Sequence, residues 1–166
     1  MTFAQDFQLS DCRPGGMQKA EQSNKPTIVH ADDPRRQTGG VENRFDMLAT
    51  GAETDGQYLL MEATIAPGGH PPKHIQTREE EMFYILSGTL TFHADGQEVV
   101  ARAGTFLNIP KNVEHWFENV SDAPARMLVL FAPAGLEGWF EAATRSPERM
   151  REIGETTYGL KFIEDD

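Results

Sequence analysis

The chain has 166 residues, of which 39% are hydrophobic and 25% charged, so it is long enough to bury the core of one domain. Its 26 acidic and 15 basic residues give a net charge of −11, which argues against nucleic acid and anionic membranes as partners. The single cysteine, Cys12, cannot form an internal disulfide, and the first residues lack the pattern of a signal peptide, so we expect a cytoplasmic protein.

The first 26 residues differ in composition from the rest of the chain. They are rich in Gln, Ser, Asn, Gly and Lys, and Pro and Gly interrupt any periodicity. This composition predicts a flexible N-terminal arm, or an edge strand that is exchanged with a partner. Residues 27–166 contain no internal repeat and no low-complexity linker, so they are predicted to form a single domain.

Short strands separated by turns follow from Val41 onward. The predicted strands are residues 42–51, 57–67, 73–77, 81–88, 89–94, 97–102, 105–110, 114–120 and 125–133. The pair Asp95-Gly96 between two of them is a strong hairpin signal, because both central residues of a type I′ turn need positive φ. Nine short strands with no helical period between them predict an all-β barrel or sandwich.

The period becomes helical at about residue 135. Four residues follow the spacing i, i+3, i+4 and i+7 of one helical face: Leu136, Trp139, Phe140 and Ala143. Ser146 as N-cap and Pro147 at the first helical position predict a second, shorter helix, which Gly154 can end. The last apolar stretch, residues 157–164, has enough bulk to dock on the barrel.

Three of the predicted strands carry side chains that can bind a metal, namely residues 73–77, 81–88 and 114–120. His74 and Gln76 are two residues apart in a strand and therefore point to the same face. Glu81 begins the next strand, and His115 lies in a strand further along the chain. Two histidines and a carboxylate from three strands can converge inside one barrel, and this donor set suits a divalent metal.

The spacing of these residues resembles the two sequence motifs of the cupin superfamily. The first motif matches Gly68-x5-His74-x-Gln76-x4-Glu81-x6-Gly88, with Gln76 where the family has a second histidine. The second matches Gly104-x5-Pro110-x-Asn112-x2-His115-x3-Asn119, with Asn112 where a glycine is usual. The chain is most similar to single-domain quercetin-dioxygenase-like cupins, and the resemblance covers residues 41 to 164.

This resemblance implies a double-stranded β-helix, or jelly roll, with a short C-terminal helical tail and, commonly, a homodimer. Carried over position by position, it implies that His74, Gln76, Glu81 and His115 bind the metal. Asn112 is an acceptable replacement, because asparagine adopts positive φ more readily than most residues. The superfamily includes dioxygenases, isomerases, epimerases and binding proteins, so the resemblance does not fix the substrate.

Gln76 leaves three interpretations open. Its amide oxygen could be a weak fourth ligand, or the amide could hydrogen-bond a bound water or a substrate oxygen. The remaining ligands would then be the two histidines and one carboxylate of a facial triad, for which Fe or Mn is favoured and Ni or Zn is allowed. In the third interpretation the metal site has been lost, but a buried Glu81 without a metal or partner would be costly.

We therefore predict that the protein is a metal-binding cupin. Its predicted activity is that of a quercetinase-like dioxygenase that acts on an aromatic or enolic small molecule. Glu81 would be a metal ligand and a catalytic proton acceptor. Two alternatives are a non-catalytic module that binds a small molecule, and a metal-assisted isomerase of a sugar-like compound. Of the remaining histidines, His70 and His93 are predicted to be solvated.

Overall fold

The computed structural model describes residues 26–31 and 43–164, and the backbone alone of residues 36–39. Apart from Pro26, the predicted N-terminal arm lies outside the described residues, and so does Cys12. Within the described ranges, no helix has the length and apolar character needed to cross a membrane.

In the part of the chain that the structure describes, eleven strands form two antiparallel sheets. The strands are β1 (Arg36–Gly39), β2 (Asn43–Ala49), β3 (Leu59–Ile65), β4 (His74–Gln76), β5 (Glu80–Ser87), β6 (Thr89–Ala94), β7 (Gln97–Arg102), β8 (Phe106–Ile109), β9 (Glu114–Glu118), β10 (Ala125–Ala132) and β11 (Leu160–Phe162). The six-stranded sheet has the order β1-β2-β3-β10-β5-β8, and the five-stranded sheet has the order β11-β4-β9-β6-β7. From β3 onward the chain passes between the sheets at nearly every connection, which is the jelly-roll winding that the sequence predicted.

All nine predicted strands are present, and their ends agree within two residues. The alternation of apolar residues explains this agreement, because buried and partly exposed positions alternate throughout β3 and the buried residues of β10 also alternate. Leu59, Met61 and Ile65 of β3 are fully buried between the sheets. Burying each side chain of this size stabilises the fold by roughly 1.5–3 kcal/mol.

The predicted tight turns have the expected backbone conformation. Asp95 and Gly96 have φ values of 50° and 71°, and they join β6 to β7 as a hairpin. Asn112 has a φ of 66°, so asparagine adopts here the conformation for which the second motif usually has glycine.

The C-terminal tail contains the predicted helices, but it continues beyond Gly154. Helix α1 (Glu137–Arg145) is followed by a 3-10 turn (Pro147–Arg149), helix α2 (Met150–Ile153) and a π-helical segment (Gly154–Tyr158). Pro147 begins the second helical segment as predicted, although the Ser146 side chain makes no capping hydrogen bond. Helix α2 ends just before Gly154, as predicted, but the helical backbone continues through this glycine into the π-helical segment, which was not predicted.

The structure gives a different reason for a glycine at position 154. Gly154 has helical dihedral angles, and a Cβ there would lie 2.9 Å from both Phe162 and Trp139, so the glycine permits close packing. The helical segment ends instead at Gly159, whose φ of 74° is left-handed.

Two strands were not predicted. The sequence of β1, RQTG, contains no apolar alternation, and β11 has only three residues. Strand β11 pairs with β4, with Leu160 opposite Gln76 and Phe162 opposite His74. The docking of the final segment is therefore confirmed, and this docking completes the sheet next to the predicted metal ligands.

Candidate metal centre

The predicted site residues come from both sheets. His74 on β4 lies directly opposite His115 on β9, and their rings are 4.5 Å apart between centroids. Glu81 on β5 belongs to the facing sheet and points inward with Phe83 and Ile85, all three being buried. The inward faces of the two sheets therefore bring the two histidines and the carboxylate together.

The donor atoms of these three residues are close enough to share one ion. The Glu81 Oε2 atom is 2.8 Å from His115 Nε2 and 4.0 Å from His74 Nε2. One ligand atom from each residue lies within 4.8 Å of those of the other two. Ligand atoms that are each about 2.0–2.2 Å from the same ion are separated by at most about 4.4 Å, so the arrangement is near the size that a bound metal requires.

Backbone carbonyl groups fix the tautomer of both histidines. His74 Nδ1 lies 2.9 Å from the carbonyl oxygen of Pro72, and His115 Nδ1 lies 3.0 Å from that of Val113. A carbonyl oxygen can only accept a hydrogen bond, so Nδ1 carries the proton in each ring. In the neutral imidazole the Nε2 lone pair is then directed toward Glu81, which is the orientation that a metal ligand needs.

The short contact between His115 and Glu81 requires a proton or a metal cation between the two atoms. With its Nδ1 protonated, a neutral His115 has only a lone pair at Nε2, and an ionised carboxylate likewise has only lone pairs. A separation of 2.8 Å between two such acceptors would be repulsive, so in the absence of metal the two groups share a proton in a hydrogen bond. A metal cation in place of that proton would satisfy the same two lone pairs.

The two histidines differ in their affinity for a proton. Burial lowers the pKa of His74, the positive charge of His115 lowers it further, and the carboxylate of Glu81 only partly offsets these effects. Burial also lowers the pKa of His115, but its hydrogen bond and charge interaction with Glu81 outweigh the burial and the net direction is upward. A proton held at this site in the absence of metal therefore resides between His115 and Glu81.

Gln76 lies beside this group, with its amide nitrogen toward Glu81. Its Nε2 donates a hydrogen bond of 2.8 Å to Glu81 Oε2, and its Oε1 is buried without a partner among the described residues. Because the carboxylate accepts but cannot donate, the nitrogen rather than the oxygen must face it. Gln76 as a metal ligand stays a prediction, since its amide would have to rotate to present the oxygen.

Three of the predicted site residues line a cavity of about 530 Å³. These are His74, Gln76 and Glu81, which we call the polar patch. Much of the remaining surface is aromatic, with contributions from Phe45, Phe83, Phe117, Phe131, Phe140 and Phe162. Among the described residues that line the cavity, none is lysine or arginine.

The C-terminal tail forms part of this cavity, which the sequence did not predict. Seven residues between the end of β10 and the start of α2 line it, and we call them the tail wall: Leu136, Trp139, Phe140, Ala143, Thr144, Pro147 and Met150. The apolar helical stripe that predicted α1 was the available signal, but its spacing cannot distinguish a face packed on a core from one that faces a cavity.

Other polar residues have roles outside the centre. His70 is exposed at the edge of the cavity, as predicted for a loop histidine. His93 was predicted to be solvated, but only 19% of its side chain is exposed, because it stacks on Trp116 at 4.4 Å between ring centroids. Glu79 is a buried carboxyl that the sequence analysis did not single out, and its burial raises its pKa above the usual range.

Comparisons with known proteins identify the family. Residues 61–131 match the family model described as a cupin domain. The chain is 32% identical over 111 residues to the polyketide synthase CurC of Streptomyces cyaneus, a match that covers 66% of this chain and 71% of that protein. The chain belongs to the cupin superfamily. Cupin motif residues His74, Glu81 and His115 are thus the ones that the structure brings together.

Two further relatives extend this comparison. The cupin is 31% identical over 88 residues to quercetin 2,3-dioxygenase of Bacillus subtilis, which covers 53% of this chain but only 26% of that protein. Among solved structures, the polyketide cyclase RemF of Streptomyces resistomycificus has a TM-score of 0.56 and 23% identity, covering 65% of this chain and 80% of that one. The structural likeness supports the double-stranded β-helix fold.

Proposed function

We propose that this cupin binds one divalent metal through His74, Glu81 and His115 and acts as a dioxygenase of an uncharged aromatic or enolic small molecule. One observation carries the proposal: a group of two histidines and one carboxylate, of which His115 and Glu81 are buried, adjoins a large aromatic cavity through His74 and Glu81. This donor set leaves coordination positions open for other molecules.

The donor types favour particular metals. Two imidazole nitrogens and one carboxylate oxygen suit Fe or Mn best, with Ni or Zn also allowed, and the absence of a thiolate in the group disfavours soft metals. Gln76 donates to the Glu81 carboxylate in the structure, so we assign it the role of holding that carboxylate in place. A glutamine in this role preserves the facial triad.

The character of the cavity supports an uncharged and largely apolar substrate. Phosphorylated sugars and dicarboxylates need cationic partners, and no lysine or arginine is found among the described lining residues. Relatives named for quercetin and for polyketide chemistry agree with an aromatic or enolic substrate. The largely apolar lining also makes the isomerase of a sugar-like compound a weaker candidate, because the hydroxyl groups of a sugar need polar partners.

The residues of the chain would divide the chemistry between them. A bound divalent ion would supply a Lewis acid that stabilises a substrate hydroxyl as its anion. Glu81 would accept the hydroxyl proton, and the carbonyl groups of Pro72 and Val113 would keep the histidine rings oriented. The phenylalanines would exclude water. Both atoms of dioxygen would enter the product, so no external reductant is needed.

The proposal is tested by metal analysis and oxygen uptake on the same preparation. Full-length protein grown with Fe, Mn, Ni and Zn is expected to contain close to one metal ion per chain. With quercetin or 3-hydroxyflavone it should consume dioxygen, and 18O from labelled dioxygen should appear twice in the product. Light scattering should give twice the 18.5 kDa mass of one chain, because we also propose a homodimer.

The other outcomes identify the alternatives. Tight binding of these compounds without dioxygen consumption would establish a non-catalytic binding module. Conversion of a hydroxy-carbonyl compound in the absence of dioxygen would establish an isomerase. Protein without any metal after growth in all four would contradict the metal centre itself.

A further inference from the structure

We infer that the tail wall determines which ligands fit the cavity, and that Ala143 is the residue that sets their permitted length. This inference rests on the proposed function, because it assumes that the ligand is bound at the polar patch. It assigns substrate selection to a part of the chain that lies outside the segment matched by the cupin family model, which ends at residue 131.

The first argument is the incomplete burial of α1. This helix has a strongly apolar face, yet none of its residues is fully buried. Trp139, Phe140 and Ala143 lie on that face and all line the cavity. A helix normally buries its apolar stripe against a packed core, so a stripe that faces an open cavity leaves apolar surface for a ligand to cover.

The second argument is that the tail is held at both ends, so its wall has a defined position. At the start of α1, the Glu137 carboxylate accepts hydrogen bonds from the backbone N–H groups of Gly51, at 2.6 Å, and Gly135, at 2.9 Å. Near the other end, Arg78 donates to the carbonyl group of Thr157 at 2.6 Å, and β11 pairs with β4.

Contacts within the tail and contacts with the barrel also hold the tail wall in position. The Trp139 indole nitrogen donates a 3.1 Å hydrogen bond to the carbonyl group of Met150, which links α1 to α2. Phe140 contacts Phe45 and Phe131 of the barrel, with ring centroids 5.2 Å and 5.9 Å apart. A ligand must therefore fit the wall in this position, because displacing the wall would break several contacts.

The third argument is the position of Ala143 beside the cavity entrance. Three residues that line the cavity are exposed, namely Thr144 and Pro147 on the tail and His70 on the loop before β4. Lining residues that are exposed lie where a cavity opens to solvent, so we assign these three to its entrance. Ala143 precedes Thr144 in the sequence and has the smallest side chain of the tail wall, so it leaves space where a long ligand would extend from the polar patch.

The inference is tested with neutral probes that share one chelating group and differ in length. Tropolone has one ring, 3-hydroxychromone has two fused rings, and 3-hydroxyflavone adds a third. Binding to metal-loaded, full-length protein is measured by fluorescence or calorimetry in the absence of oxygen, so that no turnover occurs.

The variants are Ala143→Phe and the milder Ala143→Leu, so that a folding defect in the first does not decide the result. Ala142→Phe is the matched control, because Ala142 is on the same helix but does not line the cavity.

Ala143→Phe is expected to weaken the binding of 3-hydroxyflavone by at least about tenfold and the binding of tropolone by less than about twofold. Ala143→Leu should have smaller effects, and it should again weaken 3-hydroxyflavone more than tropolone. Ala142→Phe should leave all three affinities unchanged, and the metal content should be equal in every variant. Equal weakening of all three probes, or no change with either Ala143 variant, would overturn the inference. Both results would leave the proposed function intact.

Two results with the unsubstituted protein are also informative. Binding of tropolone without binding of 3-hydroxyflavone would overturn the inference alone, since the wall would then not accommodate a long ligand. Protein that holds no metal and binds none of the probes would overturn both the proposed function and the inference.

Discussion

The polar patch and the tail wall face the same cavity but are built in different ways. The polar patch lies on β4 and β5, within the segment shared with the cupin family, and hydrogen bonds between its side chains and to a backbone carbonyl group fix its groups. The tail wall follows that segment in sequence and is held mainly by aromatic contacts and by its two ends. If both proposals hold, we therefore expect metal binding and ligand selection to change independently.

Glu81→Ala should have the largest effect among the variants that test whether the polar patch and the tail wall are independent. Removing the carboxylate leaves two neutral nitrogens, so we expect metal affinity to fall by more than about 100-fold. The tail wall should be unaffected, and the neutral apolar dye N-phenyl-1-naphthylamine should still bind if it enters the cavity. Elemental analysis and dye fluorescence measure the two properties.

The matched control for this variant is Glu80→Ala, which removes the neighbouring exposed carboxylate of β5. It should retain the metal. Loss of dye binding together with the metal in Glu81→Ala would show that the two regions are not independent.

Gln76→His should have an intermediate effect, in the opposite direction. A histidine restores the residue that the first cupin motif usually has, and it adds an imidazole nitrogen beside Glu81. We expect metal affinity to rise by about tenfold, equivalent to about 1.4 kcal/mol. Competition with a chelator of known affinity measures this change.

Gln97→His, which places a new histidine on the exposed edge strand β7, is the control and should leave the affinity unchanged. If Gln76→His weakened metal binding, its hydrogen bond to Glu81 would matter more than an added ligand. The Co(II)-loaded protein gives a second measurement, since its visible absorption reports the number of ligands.

Trp139→Phe should have the smallest effect. The substitution keeps an aromatic ring in the tail wall but removes the hydrogen bond to the carbonyl group of Met150. We expect the free energy of unfolding to decrease by about 1 kcal/mol, with no change in metal affinity. Urea denaturation of the metal-loaded protein measures the stability.

Trp116→Phe is the matched control, because Trp116 stacks on His93 and does not line the cavity. It should leave the binding of 3-hydroxyflavone unchanged. A change in metal affinity in Trp139→Phe alone would show that the tail wall influences the polar patch.

Much of the fold could be predicted from local pattern. The short strands and their turns predicted the barrel, and the pair Asp95-Gly96 predicted its hairpin; in the structure buried positions alternate in β3 and β10, and both turn residues have positive φ. β1 was not predicted because RQTG has no apolar alternation, although its partner β2 is the next strand, whereas β11 is short and pairs with β4, which is distant in sequence. The close packing that requires a glycine at position 154 also involves residues distant in sequence, namely Trp139 and Phe162.

The candidate site was predictable to a similar extent. Strand parity placed His74 and Gln76 on one face, because side chains two apart share a face, and the resemblance to the two cupin motifs implied that Glu81 and His115 join His74. Parity does not determine which end of the Gln76 amide meets Glu81, since that depends on the neighbouring carboxylate. The contribution of the tail to the cavity depends on how α1 docks on the barrel. The helical spacing of its apolar residues does not specify this docking.

The carbonyl groups of Pro72 and Val113 have a consequence for the exchange of metal. They restrain both imidazole rings through Nδ1, so folding itself has already restricted the ring rotamers and leaves Nε2 for the proposed metal. Under the proposed function, an arriving ion would lose little affinity to ordering these ligands, and a departing ion would leave them in position. We therefore expect one divalent metal to be exchanged for another without unfolding of the protein.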